Sequence, residues 1–138
     1  MTRKESSTSV LIFRILLISY IFAVAYLCFG NFQNIPSSFQ NKIFGIRMDK
    51  IVHFCMFFPF PILGFFSIEQ NGRNARSRWE KLGSSMTLLS LGCIFAGLTE
   101  IIQGMMPYRS EDIMDFAADC LAITISSIIV HIADLKRK

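Results

Sequence analysis

The chain has 138 residues, of which 52% are hydrophobic and 17% charged, with a mean hydropathy of +0.46 and a formal net charge of +4. This length suits one domain and excludes a large multidomain enzyme. An average soluble protein carries roughly 25% charged residues, and a disordered chain needs low hydrophobicity, so the composition excludes disorder and points away from water.

The apolar residues gather into runs long enough to cross a bilayer, for which about 20 residues at 1.5 Å rise suffice. The first predicted span, 10–30, carries one charge, Arg14. The second, 51–68, is uncharged with His53 neutral, and Pro59 and Pro61 must kink it, so that a neighbouring helix has to satisfy the freed carbonyls. The third, 84–103, is uncharged until Glu100. The fourth, 113–133, contains Asp115 and Asp119 and leaves only the 14 residues Cys120 to Ala133 uncharged. That stretch alone is short for a crossing.

Loop charge decides for the fourth span. Arg3 and Lys4, then Arg73, Arg76, Arg78 and Lys81, then Lys136, Arg137 and Lys138 fall on one side only if the chain crosses four times. The positive-inside rule makes that side, and both termini, cytoplasmic. The expectation is an all-α integral membrane bundle of four transmembrane helices, a single membrane domain over 1–138, with N- and C-termini cytoplasmic. The basic excess is then a topology signal beside anionic lipid, not a nucleic-acid footprint.

Arg3 and Lys4 followed by an apolar stretch and Ala23-Val24-Ala25 also have the outline of a secretory signal. The stretch is longer than a usual signal core, and cleavage would leave the remaining topology unchanged. Cys28, Cys55, Cys93 and Cys120 fall one per span without a CxxC pair, as small apolar residues and not as a disulfide framework or zinc site. Between the first two spans Phe32, Ile35, Phe39 and Ile43 recur at helical spacing, interrupted by Pro36. A short interfacial helix or re-entrant turn and an aromatic-anchored loop both fit there. The chain has no internal repeat.

The polar residues in and beside the spans form three groups. Asp49 and His53 are four apart, Glu100 and Gln103 three apart, and Asp112, Asp115 and Asp119 follow at three and four, so each group shares one helical face. Four crossings place all three at the non-cytoplasmic end. On the fourth helix Asp112, Asp115, Asp119, Ala122 and Ser126 fall within an arc of roughly 80°, whose small residues admit another helix. Acidic residues facing a bundle interior are costly and mark function unless they are paired. Lys50, His53 and Arg109 are the available partners, so one reading is a set of ion pairs that sets helix register. Five carboxylates against two cations and one histidine exceed what register needs.

The run Asp49-Lys50-Ile51-Val52-His53, the segment Gly97 to Gln103 containing Glu100-Ile101-Ile102-Gln103, and Pro107 to Asp119 containing Arg109 and Asp115 resemble the VanZ-like family of small bacterial membrane proteins. The resemblance covers about residues 49–122, through the order D-K-x-x-H, E-x-x-Q, R-x-x-x-x-x-D. It departs at Asp119 and Ala122, where the family usually has Asn and Gly. The resemblance implies a multi-span envelope protein, and its namesake is associated with low-level resistance to the glycopeptide teicoplanin.

Two chemistries fit the polar groups. In one, a binding or envelope-modifying protein holds a membrane lipid or lipid-linked wall precursor through Asp49, Lys50, Gln103, Arg109 and Asp112. In the other, a metal-dependent lipid phosphate hydrolase or phosphotransferase uses His53 or Glu100 as nucleophile or general base, with Arg109 gripping a phosphate. Glu100, Asp115 and Asp119 would hold a hard cation such as Mg²⁺. Four helices without a repeat are few for an alternating-access transporter. The pattern implies no nucleic-acid partner and no particular oligomeric state.

Overall fold

The computed structural model of the chain describes residues 3–30, 42–43, 46–68, 76–107 and 112–136. Among these, the helices are α1 (Arg3–Phe29), α2 (Met48–Phe57), α3 (Pro59–Ser67), α4 (Arg78–Gly104) and α5 (Ile113–Lys136). Four segments, with α2 and α3 together counting as one, are long and apolar enough to cross a membrane. The one addition to an all-helical plan is a pair of two-residue strands, β1 (Lys42–Ile43) and β2 (Ile46–Arg47), antiparallel with Lys42 opposite Arg47. They lie just ahead of α2. Ile43, the last position of the helical spacing noted in that loop, is therefore extended, and residues 31–41 lie outside the described residues.

The second span divides where its prolines require it. Pro59 and Pro61 have no N–H to give the carbonyls of Cys55 and Phe57, so the helix breaks at Phe58 and restarts with proline in its first turn. Phe58 keeps helical dihedrals (φ −57°, ψ −38°), so the chain bends without reversing. Between the two affected carbonyls, the Met56 carbonyl accepts from the Tyr20 hydroxyl of α1, which ties the break to a neighbouring helix.

Two helices run past their apolar cores. α4 starts six residues before the predicted span because Ser77 caps it: Glu80 N–H donates to Ser77 Oγ (3.2 Å) while Ser77 N–H donates to the Glu80 carboxylate (2.7 Å). At the head of α5, Met114 N–H donates to Asp112 Oδ1 (2.9 Å), and the acidic first turn complements the helix dipole.

α5 lies at the centre, packed on α2, α3 and α4, while α1 rests mainly on α3. The core joins Val24, Cys28, Phe57, Ala96, Ala122 and Ile123. Gly92 lets α4 approach α5: a Cβ there would lie 2.8 Å from Ile123 Cγ2 and 3.1 Å from Phe60. At Gly64, where α3 meets α4, a Cβ would lie 2.7 Å from the tip of the Leu88 side chain. The outward faces are apolar, with Phe22 71%, Tyr26 70%, Ile15 58% and Ile94 59% exposed. Soluble monomers rarely expose such continuous apolar surface, whereas a bilayer covers it. No disulfide joins any of the four cysteines, as their spacing predicts.

Candidate functional site

α2 and α5 begin, and α1 and α4 finish, at one end of the bundle. The three polar groups seen in the sequence meet there. Asp119 is fully buried on the face of α5 that also buries Ala122 and Ser126, all at 0% exposure, as the 80° arc predicts. His53 of α2 lies against it. Its Nδ1 is 3.2 and 3.3 Å from the two Asp119 carboxylate oxygens, so the tautomer protonated at Nδ1 donates to Asp119 and leaves Nε2 as an acceptor. Nε2 in turn faces Asp115 Oδ2 at 3.9 Å.

Glu100, 8% exposed, reaches in from the last turns of α4. Its Oε2 accepts from Asp112 N–H at 3.2 Å, tying α4 to the start of α5. Its Oε1 is buried, lacks a hydrogen-bond partner, and stands 4.0 Å from His53 Nδ1. A buried acceptor without a donor costs about 1–3 kcal/mol, and more when charged, so nothing in helix packing explains why this atom is kept.

Nearer the bundle end, Lys50 donates through Nζ to Asp112 Oδ2 (2.8 Å) and Asp115 Oδ1 (2.6 Å). Arg47 of β2 donates to Asp49 Oδ2 at 2.7 Å and lies 3.8 Å from Asp112. Lys50 N–H donates to Asp49 Oδ1 at 3.0 Å. The Lys50 ammonium on Asp112 is the main reason that this carboxyl titrates below its ordinary 3.8, helped by Met114 N–H. Five carboxylates thus stand against Arg47, Lys50 and His53. Among the described residues the excess is two negative charges with the imidazole protonated and three with it neutral.

The expected site residues divide accordingly. Asp49, Lys50, His53, Glu100, Asp112, Asp115 and Asp119 come together. Gln103 is at the same end but spends its amide on α1, donating to the Cys28 carbonyl at 3.0 Å. Arg109 lies outside the described residues. Arg47 is the member that sequence reasoning missed, although its place two residues before Asp49 was a usable signal.

At the opposite end Lys81 is another surprise. Read as a loop charge, it is 5% exposed and donates through Nζ to the Asp134 carbonyl (2.9 Å) in the last turn of α5. Arg14, the lone charge of the first span, donates to the Ser67 carbonyl (3.1 Å) at the end of α3. Both cations therefore sit on helix C-termini, where the dipole favours them. Comparison of the chain with protein-family models, curated proteins and solved structures gives no match.

Proposed function

We propose that the chain is a multi-pass protein of the bacterial cytoplasmic membrane, VanZ-like, which binds or modifies a lipid or lipid-linked wall intermediate at the outward end of its bundle. The carrying observation is Glu100 Oε1, a buried carboxylate oxygen with no hydrogen-bond partner, set beside the His53 and Asp119 pair. Structural ion pairs satisfy their own atoms, and a buried group left over points to a ligand. Large apolar side chains lie exposed around the same end, with Met105 80%, Ile113 78% and Ile101 60% accessible. A headgroup reaching the acidic cup keeps its tail among them. The termini and basic residues face the cytoplasm by the positive-inside rule, and reporters fused after Gly45 and after Asn74 should report opposite sides.

The excess negative charge disfavours a bare phosphate and favours a cationic headgroup or a phosphate arriving with a metal ion. A second reading, a metal-dependent lipid phosphate hydrolase or phosphotransferase, draws on the His53 and Asp119 pair, the arrangement that orients an imidazole as general base.

Lipid profiles of cells with and without the protein, including lipid-linked wall precursors, test the proposal, with teicoplanin susceptibility as a second readout. One lipid class should change with the wild-type protein and not with His53→Ala at equal abundance. Glu100→Gln removes the charge and the partnerless carboxylate oxygen, so it too should abolish the change at equal abundance. Identical profiles with and without the protein would refute the reading.

A further inference from the structure

Three polar clusters offer themselves for a ligand. At the basic end, Lys81 and Ser85 are consumed by helix carbonyls and by His131, whose Nδ1 is 3.1 Å from Ser85 Oγ. Asp49, Asp112 and Asp115 are close enough to share an ion, but the Lys50 ammonium already fills the space between Asp112 and Asp115. His53, Glu100 and Asp115 form the third cluster. A ring nitrogen of His53 and one oxygen from each carboxylate lie within 4.8 Å of one another.

We infer that His53, Glu100 and Asp115 are the protein ligands of one divalent ion of the zinc class, and that Asp119 is a positioning residue behind His53. Each ligand has one polar atom held by a neighbour and another left over. Lys50 holds Asp115 Oδ1, Asp112 N–H holds Glu100 Oε2, and Asp119 holds His53 Nδ1. This leaves Asp115 Oδ2, Glu100 Oε1 and His53 Nε2, of which Oε1 is buried without a hydrogen-bond partner. Support of each ligand through its outer atom is the usual plan of a metal centre, including a carboxylate behind a ligating histidine.

The dimensions agree. One ring nitrogen of His53 and one oxygen each of Glu100 and Asp115, at the corners of a triangle no wider than 4.8 Å, lie about 2.8 Å from its centre at most. A closure of under about 1 Å brings them to the roughly 2.0–2.2 Å of zinc–nitrogen and zinc–oxygen bonds. A doubly charged ion also offsets the surplus of negative charge among the described residues of this cluster.

The donor set decides the metal. One imidazole and two carboxylates suit zinc and its neighbours better than Mg²⁺, which prefers oxygen ligands in near-ideal octahedral geometry. Asp119, assigned from sequence to an Mg²⁺ site, has both oxygens on His53 Nδ1 and so supports the ligand instead of joining the metal. Three protein ligands leave a fourth position open, the pattern of zinc sites that engage a substrate.

The test uses the full-length protein in detergent, stripped with EDTA, desalted and titrated with Zn²⁺ and with Mg²⁺ by calorimetry, with Co²⁺ as spectroscopic probe. One Zn²⁺ per chain should bind at least about 100-fold more tightly than Mg²⁺. His53→Gln and Glu100→Gln should each weaken Zn²⁺ by about 100-fold or more, and Asp119→Asn by about 10–100-fold. The double change Cys93→Ser and Cys120→Ser should alter neither affinity nor the Co²⁺ spectrum, which should lack a thiolate charge-transfer band. Absence of Zn²⁺ binding to the wild-type protein, equal Mg²⁺ affinity, or binding that survives His53→Gln or requires the cysteines would overturn the inference. The ion site does not depend on the lipid reading: unchanged lipid profiles with intact Zn²⁺ binding would refute that reading alone.

Discussion

The two ends of the bundle hold buried charge in opposite ways. Among the described residues of the basic end, the buried Lys81 is spent on the Asp134 carbonyl and the exposed Arg14 on the Ser67 carbonyl, each at a helix C-terminus. At the acidic end the carboxylates outnumber the cations, and one oxygen of Glu100 has no hydrogen-bond partner. Charge that completes a helix end is architecture. Charge left over after the pairs are made is what a ligand needs.

Substitutions at the two ends should therefore differ in size. Lys50→Met leaves the half-buried Asp112 and Asp115 without their shared ammonium and should cost about 2–3 kcal/mol, since stranding charges that are partly withdrawn from water is expensive. Thermal unfolding in detergent measures it. Gly92→Val, which drives a side chain into Ile123 and Phe60, should cost about 2 kcal/mol by the same assay and loosen α4 from α5. Lys81→Met removes one charged hydrogen bond to a carbonyl and should cost about 1 kcal/mol. A loss at Lys81 matching that at Lys50 would erase the distinction between the ends.

The smallest effect is in pH. Lys50 holds Asp112 below its ordinary 3.8, so the folded state binds this proton less readily than the unfolded state. The stabilisation is complete above the ordinary value and disappears as pH falls through the lowered one. Melting temperature measured from pH 6 down to pH 3 should fall less steeply in Asp112→Asn than in the wild-type protein, and parallel curves would show that the pair contributes nothing.

Much of this was legible from residue order. Apolar runs located three spans and loop charge added the fourth, and three- and four-residue spacings put Asp112, Asp115 and Asp119 on one face, because helical periodicity is local. The partner atoms were not legible. His53 with Asp119 and Lys50 with Asp115 are contacts across 66 and 65 residues, set by how α2 and α5 rotate against each other. Lys81 was placed in a loop because its partner, the Asp134 carbonyl, lies 53 residues away and is brought to it only by the packing of α4 on α5. Arg47 was missed because the two-residue strand that positions it carries too little pattern to be recognised.

The central claim is that the acidic end is kept for a ligand at a cost to stability, and Glu100→Gln tests it most directly. The amide oxygen still accepts from Asp112 N–H, while its NH₂ replaces a carboxylate oxygen that had no donor. Buried charges replaced by neutral groups of similar shape are often neutral or stabilising, and stability gained at a functional site is commonly matched by lost function. The melting temperature of the metal-free protein should stay level or rise by about 2–4 °C. A fall of that size would make Glu100 a structural residue and contradict the account.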